Sequence, residues 1–242
     1  MSFKKLTTAF FIFVLTTSVC WKADAKTNFT PKNGPAVSIA EADQALKEDP
    51  NDAKAYYNRG TAYYAKGNYD EAVKDLSASI RLEPKAPDSY FNRGLSYRHL
   101  KKMDEAIEDF SKAIELYPGQ PGYYTSRANC LIVKSDLDKA IADSAKAIEL
   151  SPGDPTAYFL RGLAALLKGE FDRSIKDAEK ALELDSQYAD AWRLRGEAYF
   201  SKADYEHALS DLENAVRLNP ALRDTLSAKI QQASAQKKNA KN

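Results

Sequence analysis

The sequence predicts an all-α protein: a right-handed α-solenoid of stacked antiparallel helix pairs, with a capping helix at each end. Three observations lead there. Five consecutive blocks of the 242-residue chain repeat one another with a period of 34 residues. The composition, 44% hydrophobic and 29% charged with only 10 Gly and 10 Pro, suits helices and lacks the turn residues an all-β chain needs. Each block also reads as two helical stretches split by a short turn, and one such pair cannot bury its apolar faces alone, so the pairs must stack.

The remaining bulk properties exclude whole classes. Lys+Arg at 35 against Asp+Glu at 34 shows no basic excess of the kind that phosphate neutralisation uses, so no nucleic-acid partner is expected. Fourteen Tyr, 10 Phe and 2 Trp are too many apolar anchors for a disordered chain.

Taken in order, residues 1–25 read as an export signal. Lys4 and Lys5 precede an apolar run, Leu6 to Val19, of about 14 residues where a bilayer-spanning helix needs roughly 20. Ala23-Asp24-Ala25 follows as a small-x-small cleavage pattern. Cleavage after Ala25 and export are therefore expected, to a bacterial periplasm. The alternatives are secretion, or a lipid anchor through Cys20, although Thr17-Ser18-Val19 fits a lipobox poorly. Cleavage removes Lys4, Lys5, Lys22 and Asp24 and leaves a net charge of −1. It also leaves Cys130 as the one cysteine, so no internal disulfide is expected and the thiol reads as a small buried hydrophobe.

Pro31, Gly34 and Pro35 make 26–36 a linker. Residues 37–52 form an N-terminal half-repeat, a capping helix around Ser38 to Leu46 with Pro50 as its terminator. The blocks follow at 53–86, 87–120, 121–154, 155–188 and 189–222. Place four of each is a large aromatic: Tyr56, Tyr90, Tyr124, Tyr158, Trp192. Place eight is small, as Gly60, Gly94, Ala128, Gly162 and Gly196. Place twenty is small too, as Ala72, Ala106, Ala140, Ser174 and Ala208. Small residues let two helices approach closely, and the aromatic fills the remaining space. Lys66-Gly67-Asn68 turns the chain between helices of about 54–66 and 70–82, and Asp70, Asp104, Asp138 and Asp172 open the second helix as candidate caps. Pro84, Pro118, Pro152 and Pro220 stop the second helix, with Ser186 the exception. After the blocks, Leu222 to about Gln236 is a capping helix, with Leu226 and Ile230 spaced by four, and 237–242 a solvated basic tail; together they make up the 223–242 segment.

Two charged columns run through the blocks. Place seven is Arg59, Arg93, Arg127, Arg161 and Arg195, and place twenty-three is Asp75, Asp109, Asp143, Asp177 and Asp211. The two places lie at similar height in an antiparallel pair, so each Arg is expected to hold its block's Asp and fix helix register. With a carboxylate beside every Arg, a row of anion-binding arginines is disfavoured.

Asn58-Arg59-Gly60-Thr61-Ala62-Tyr63-Tyr64 and Asp104-Glu105-Ala106-Ile107-Glu108-Asp109-Phe110-Ser111-Lys112-Ala113-Ile114 closely resemble the tetratricopeptide-repeat (TPR) pattern. Five repeats of that kind cover 170 of 242 residues, with Leu131 and Ala165 departing from the usual Tyr and Arg standing at place seven where Leu is usual. The resemblance implies a protein–protein adaptor or scaffold whose concave groove is lined by places two, five, six, nine, twelve and thirteen. Mapped onto this chain, the groove holds Tyr57, Asn58, Tyr64, Phe91, Asn92, Arg98, Asn129, Phe159, Leu163, Arg193 and Phe200. Asn58 and Asn92 would each hold a backbone amide of an extended peptide. Tyr57 stands where the chaperone-binding relatives carry Lys, so recognition of a C-terminal carboxylate pair is not expected.

Catalytic chemistry is not expected. His99 and His207 sit in different blocks, and no nucleophile elbow, P-loop or His-Glu-x-x-His stretch occurs. No metal and no cofactor are expected either. The sequence thus points to a non-catalytic interaction module of the cell envelope that binds a partner peptide or helix. The alternatives are a self-associating scaffold, with a second copy as partner, and a eukaryotic secretory-pathway co-chaperone, to which the sequon Asn28-Phe29-Thr30 belongs.

Overall fold

The computed structural model describes residues 38–239, and the signal, Cys20 and linker readings lie outside them. Within the described residues there are twelve α-helices and no strand. Residues up to Lys134 form one compact unit and those from Ser135 a second. The first unit contains α1 (Ile39–Glu48), α2 (Ala53–Ala65), α3 (Tyr69–Leu82), α4 (Pro87–His99), α5 (Met103–Leu116) and α6 (Pro121–Val133). The second contains α7 (Leu137–Leu150), α8 (Pro155–Lys168), α9 (Phe171–Leu184), α10 (Ala189–Ser201), α11 (Tyr205–Leu218) and, after a 3₁₀ turn Pro220–Leu222, α12 (Arg223–Asn239). In each unit every helix packs on the next in the chain, the signature of stacked helical hairpins.

Local chemistry sets the helix ends. Ser38 and Glu41 form a reciprocal capping box at the start of α1, and Asp52 accepts from the amides of Lys54 and Ala55 at the start of α2. Pro87, Pro121 and Pro155 occupy the first turn of α4, α6 and α8, where a missing N–H costs nothing. The acidic caps expected at Asp70, Asp104, Asp138 and Asp172 are not caps. The N-cap residues come two places earlier, at Asn68, Lys102, Asp136 and Glu170, and their side chains make no capping bond. The four aspartates sit in the first turn, where they still suit the positive end of the helix dipole. Asp104 accepts from Lys134 at 3.0 Å in the first unit. In the second unit Asp138 accepts from Lys168 at 2.6 Å, and Asp172 from Lys202. Each lysine lies thirty residues on, so these exposed pairs join neighbouring repeats.

Within each hairpin the chain turns through a left-handed residue at place fifteen: Gly67 at φ +80° and Gly169 at +82°, but Lys101, Ser135 and Ala203 at +61 to +62°. The amide after it reaches back to the last turn, as in Asp204 N–H to Tyr199 C=O at 2.9 Å, closing the helix end. A Cβ is disfavoured at such φ. Ala203→Gly should therefore stabilise the protein by about 0.5–1 kcal/mol and Gly169→Ala should destabilise it similarly, read from urea midpoints.

Close packing explains the small residues at place eight. A Cβ on Gly94 would sit 2.8 Å from Phe110 Cε1, and one on Gly60 2.8 Å from Leu76 Cγ. Around Phe110 the first unit gathers Phe91, Leu95, Tyr123 and Cys130, all buried. In the second unit Leu212, Ala215, Leu222 and Leu226 form a cluster that joins α11 to α12. The place-four aromatics do more than fill space. Tyr90 and Tyr124 hydroxyls donate to the carbonyls of Pro84 and Pro118 at 3.3 and 3.2 Å, and Trp192 Nε1 to that of Ser186 at 2.9 Å. α12 continues to Asn239, so the expected tail is partly helical, with Lys237 Nζ 3.0 Å from Glu206.

Candidate functional site

The first helix of each hairpin carries the predicted lining residues. In the first unit, contacts thirty-five residues apart show how α2, α4 and α6 lie side by side. Asn92 Nδ2 donates to Tyr57 Oη at 3.1 Å, and Tyr123 Oη donates to Asp88 Oδ1 at 2.6 Å. Tyr64 Oη and His99 Nε2 are 3.1 Å apart, and the His99 ring stacks on Tyr69 with centroids 4.3 Å apart. Places two, five and twelve of one repeat thus touch places three, six and thirteen of the next. Burial pushes the Tyr57 phenol up to about 12, and the Asp88 charge adds to this while Asn92 opposes it. Burial and the Asp88 hydrogen bond likewise raise Tyr123. Both hydroxyls therefore stay protonated donors at physiological pH.

Asn58 and Tyr64 are half-buried on this side, while Arg98 and Asn129 are buried. Asn92 is 3% exposed, its amide already engaged by Tyr57. Phe91 lies inside the core cluster, its ring centroid 4.8 Å from Tyr123.

In the second unit Phe159 and Leu163 are buried on α8, with Phe159 meeting Tyr188 at 5.2 Å between centroids. On α10, Arg193 donates from Nη1 to Glu197 at 3.1 Å and from Nε to Asp190 at 3.3 Å. Phe200 is half-buried beneath Lys229 Nζ, 5.7 Å from its ring centroid. Burial pushes the Lys229 ammonium down, Glu197 countering and Arg193 adding to the effect.

The charged columns are structural. Arg59 holds Asp75 through two bonds of 2.7 Å, and Arg93 holds Asp109 at 2.9 and 2.7 Å. In the second unit Arg161 holds Asp177 at 2.9 and 2.7 Å, and Arg195 holds Asp211 at 2.7 and 2.9 Å. Arg127 and Asp143 belong to different units. The spacing does not reveal the third arm of the guanidinium. Arg59 Nη1 reaches Asp43 at 2.6 Å, Arg93 Nη1 reaches Ser77 at 3.0 Å, and Arg127 Nη1 reaches Ser111 at 2.9 Å, each in the preceding repeat. The guanidiniums of Arg59, Arg93, Arg161 and Arg195 lie over the place-four rings of their own helices, as Arg93 does 5.7 Å from Tyr90. Arg59 and Arg93 therefore each tie their own hairpin to the repeat before it.

A tetratricopeptide-repeat profile matches residues 59–121, 125–189 and 159–222, and a second tetratricopeptide-repeat profile matches 41–74. No curated protein matches the chain. Among solved structures, it is similar to YrrB, described as a TPR protein with an unusual peptide-binding site. Identity there is 23%, over 79% of this chain and 99% of YrrB, with a TM-score of 0.66. It is also similar to MamA from Desulfovibrio magneticus RS-1, at 22% identity over 70% of this chain and 96% of that one, TM-score 0.65. TTC0263, a thermophilic TPR protein of Thermus thermophilus, is 20% identical over 76% of this chain and 99% of its own, TM-score 0.59. At these identities the likeness speaks to fold.

Proposed function

The chain belongs to the tetratricopeptide-repeat family, and on that premise we propose that it is a non-catalytic interaction module of the cell envelope, holding a partner peptide or helix on its first-helix face. The observation that supports this most directly is the lateral seam of the first unit. Tyr57–Asn92, Asp88–Tyr123 and Tyr64–His99 set hydroxyl, amide and ring groups in a row across α2, α4 and α6. The bonds within the row fix its geometry, and Tyr57, Asn58 and Tyr64, half-buried along it, offer polar atoms and ring faces to an extended chain. The peptide-binding site of YrrB is a precedent on the same fold. The envelope assignment rests on the basic, apolar and small-residue pattern of residues 4–25.

The test is a pull-down from envelope extract with the wild type and with a Tyr57→Ala, Asn58→Ala, Phe200→Ala variant. All three side chains are half-buried, and the loss at Tyr57 also removes the partner of the Asn92 amide, which the folding control below covers. A protein captured by the wild type and lost by the variant, with helical circular dichroism intact, is the expected result. Equal capture by both would move binding off this face. No specific capture, with scattering above monomer mass, would replace the adaptor by a self-associating scaffold.

A further inference from the structure

Lysines seldom leave water, yet Lys229 of α12 keeps only 15% of its side chain exposed. Its Nζ lies 3.9 Å from Glu197 Oε1 on α10 and 5.7 Å from the centroid of the Phe200 ring. Arg193 donates to the same Glu197 oxygen at 3.1 Å, so an ammonium and a guanidinium share one carboxylate. Phe200 in turn meets Tyr205 edge-on, with 5.5 Å between ring centroids, which makes the wall beside the amine aromatic.

That setting is the one that turns a lysine into a nucleophile. Desolvation and a neighbouring cation both favour the free amine, and only the free amine carries the lone pair that attacks. Burial pushes the Lys229 ammonium down, and Arg193 adds to this while Glu197 opposes it. Glu197, at ion-pair distance, is the base that takes the ammonium proton.

Charge selects the electrophile. Arg193 and Lys229 balance Asp190 and Glu197, Asp190 accepting from Arg193 Nε. An acyl donor would turn the ammonium into a neutral amide and leave a carboxylate unbalanced, and carbon dioxide would turn it into an anion beside Glu197. An aldehyde conserves the balance, because ammonium plus aldehyde gives protonated imine plus water. The nitrogen attacks the carbonyl carbon and a C–N bond forms, while a second N–H proton moves to the carbonyl oxygen. The proton held by Glu197 then joins that hydroxyl, which leaves as water as the C=N bond forms. The iminium inherits the place of the ammonium against Glu197.

We propose that Lys229 is a covalent docking site for a small apolar aldehyde, held as a protonated imine between Glu197 and the Phe200 ring. The site stands apart from the partner-binding reading above and does not depend on it. In the test, the full chain is treated at pH 7 with limiting benzaldehyde and cyanoborohydride, and the labelled lysines are mapped by mass spectrometry over time. Lys229 should be labelled about tenfold faster than the exposed Lys74 and Lys139. Between pH 7 and 9 the labelling of those two should climb steeply with their free amine, and that of Lys229 should level off first.

Glu197→Gln removes the base and should slow labelling at Lys229 about tenfold. Lys229→Arg keeps the positive charge against Glu197 and should lose the fast adduct, so it reports on the site even if Glu197→Gln fails to fold. Labelling of Lys229 no faster than of Lys74 and Lys139, or a pH profile that matches theirs, would overturn the proposal. An unchanged rate in a folded Glu197→Gln would overturn it too.

Discussion

Arg93→Met should cost the protein about 3 kcal/mol at pH 7, the lower end of what breaking a buried ion pair costs, and distinctly less near pH 4.5. Arg93 holds Asp109 by two short bonds, and Asp109 is 4% exposed. Burial already pushes the Asp109 carboxyl above its usual range, while the Arg93 hydrogen bonds and charge pull it down. Without the guanidinium the upward influence stands alone. The folded state then binds a proton more readily than the unfolded chain. The deficit relative to wild type is complete above the raised folded pKa and shrinks as pH falls through it toward the unfolded value.

Asp109→Leu should cost less and show little of this pH dependence. The guanidinium it strands keeps Ser77 at 3.0 Å, the faces of Tyr90 and Tyr97 and a side-chain exposure of 20%. The double variant Arg93→Met, Asp109→Leu should return to within about 1 kcal/mol of wild type, because two apolar side chains replace two charges whose main offset to desolvation was each other. Urea midpoints of the four proteins at pH 7 and 4.5 decide it. Additive losses in the double variant would mean that the two residues do not act as a unit.

That pair shows what a sequence of this kind makes legible. Arg at place seven and Asp at place twenty-three recur as letters, so their pairing is readable from spacing and helix geometry. Gly94 is readable for a similar reason, since any Cβ there would meet Phe110. The third guanidinium arm is not, because its acceptors Asp43, Ser77 and Ser111 share a position but no single residue type. The aromatic-to-carbonyl bonds are hidden too, because a backbone acceptor leaves no letter. Trp192 makes its bond to Ser186 as Tyr90 does to Pro84, so the apparent exception at place thirty-two preserves the contact. The misplaced caps have another cause. An Asp two residues inside a helix and an Asp at its cap look alike in sequence, and here lysines thirty residues on take the carboxylates. At the candidate site, the rows of places five, six and nine were legible from the family pattern. The inward fold of Arg193 and Glu197 was not, since spacing alone does not distinguish a solvated pair from a buried one.

Leu226→Ala, in the C-terminal helix, should cost about 3 kcal/mol. Leu226 is 2% exposed and packs with Leu212, Ala215 and Leu222, while Ala233 is fully buried farther along α12. Most of α12 is otherwise polar, so this narrow stripe carries its docking. In a stack where each hairpin touches only its neighbours, the damage should stay local. Hydrogen exchange should quicken in α10, α11 and α12 while α7 and α8 keep their protection. Ending the chain after Asn219 goes further and exposes Leu212 and Ala215 together. That truncated protein should melt earlier and scatter as oligomers, since an uncovered hairpin face fits another such face as well as it fits a cap. If it stays monomeric with an unchanged midpoint, α12 is not a cap and the end of the stack is stable bare. The outcome also bears on the two readings of function. An array that associates only when its cap is removed uses the cap to stay finite, and its first-helix face is then left for a foreign partner.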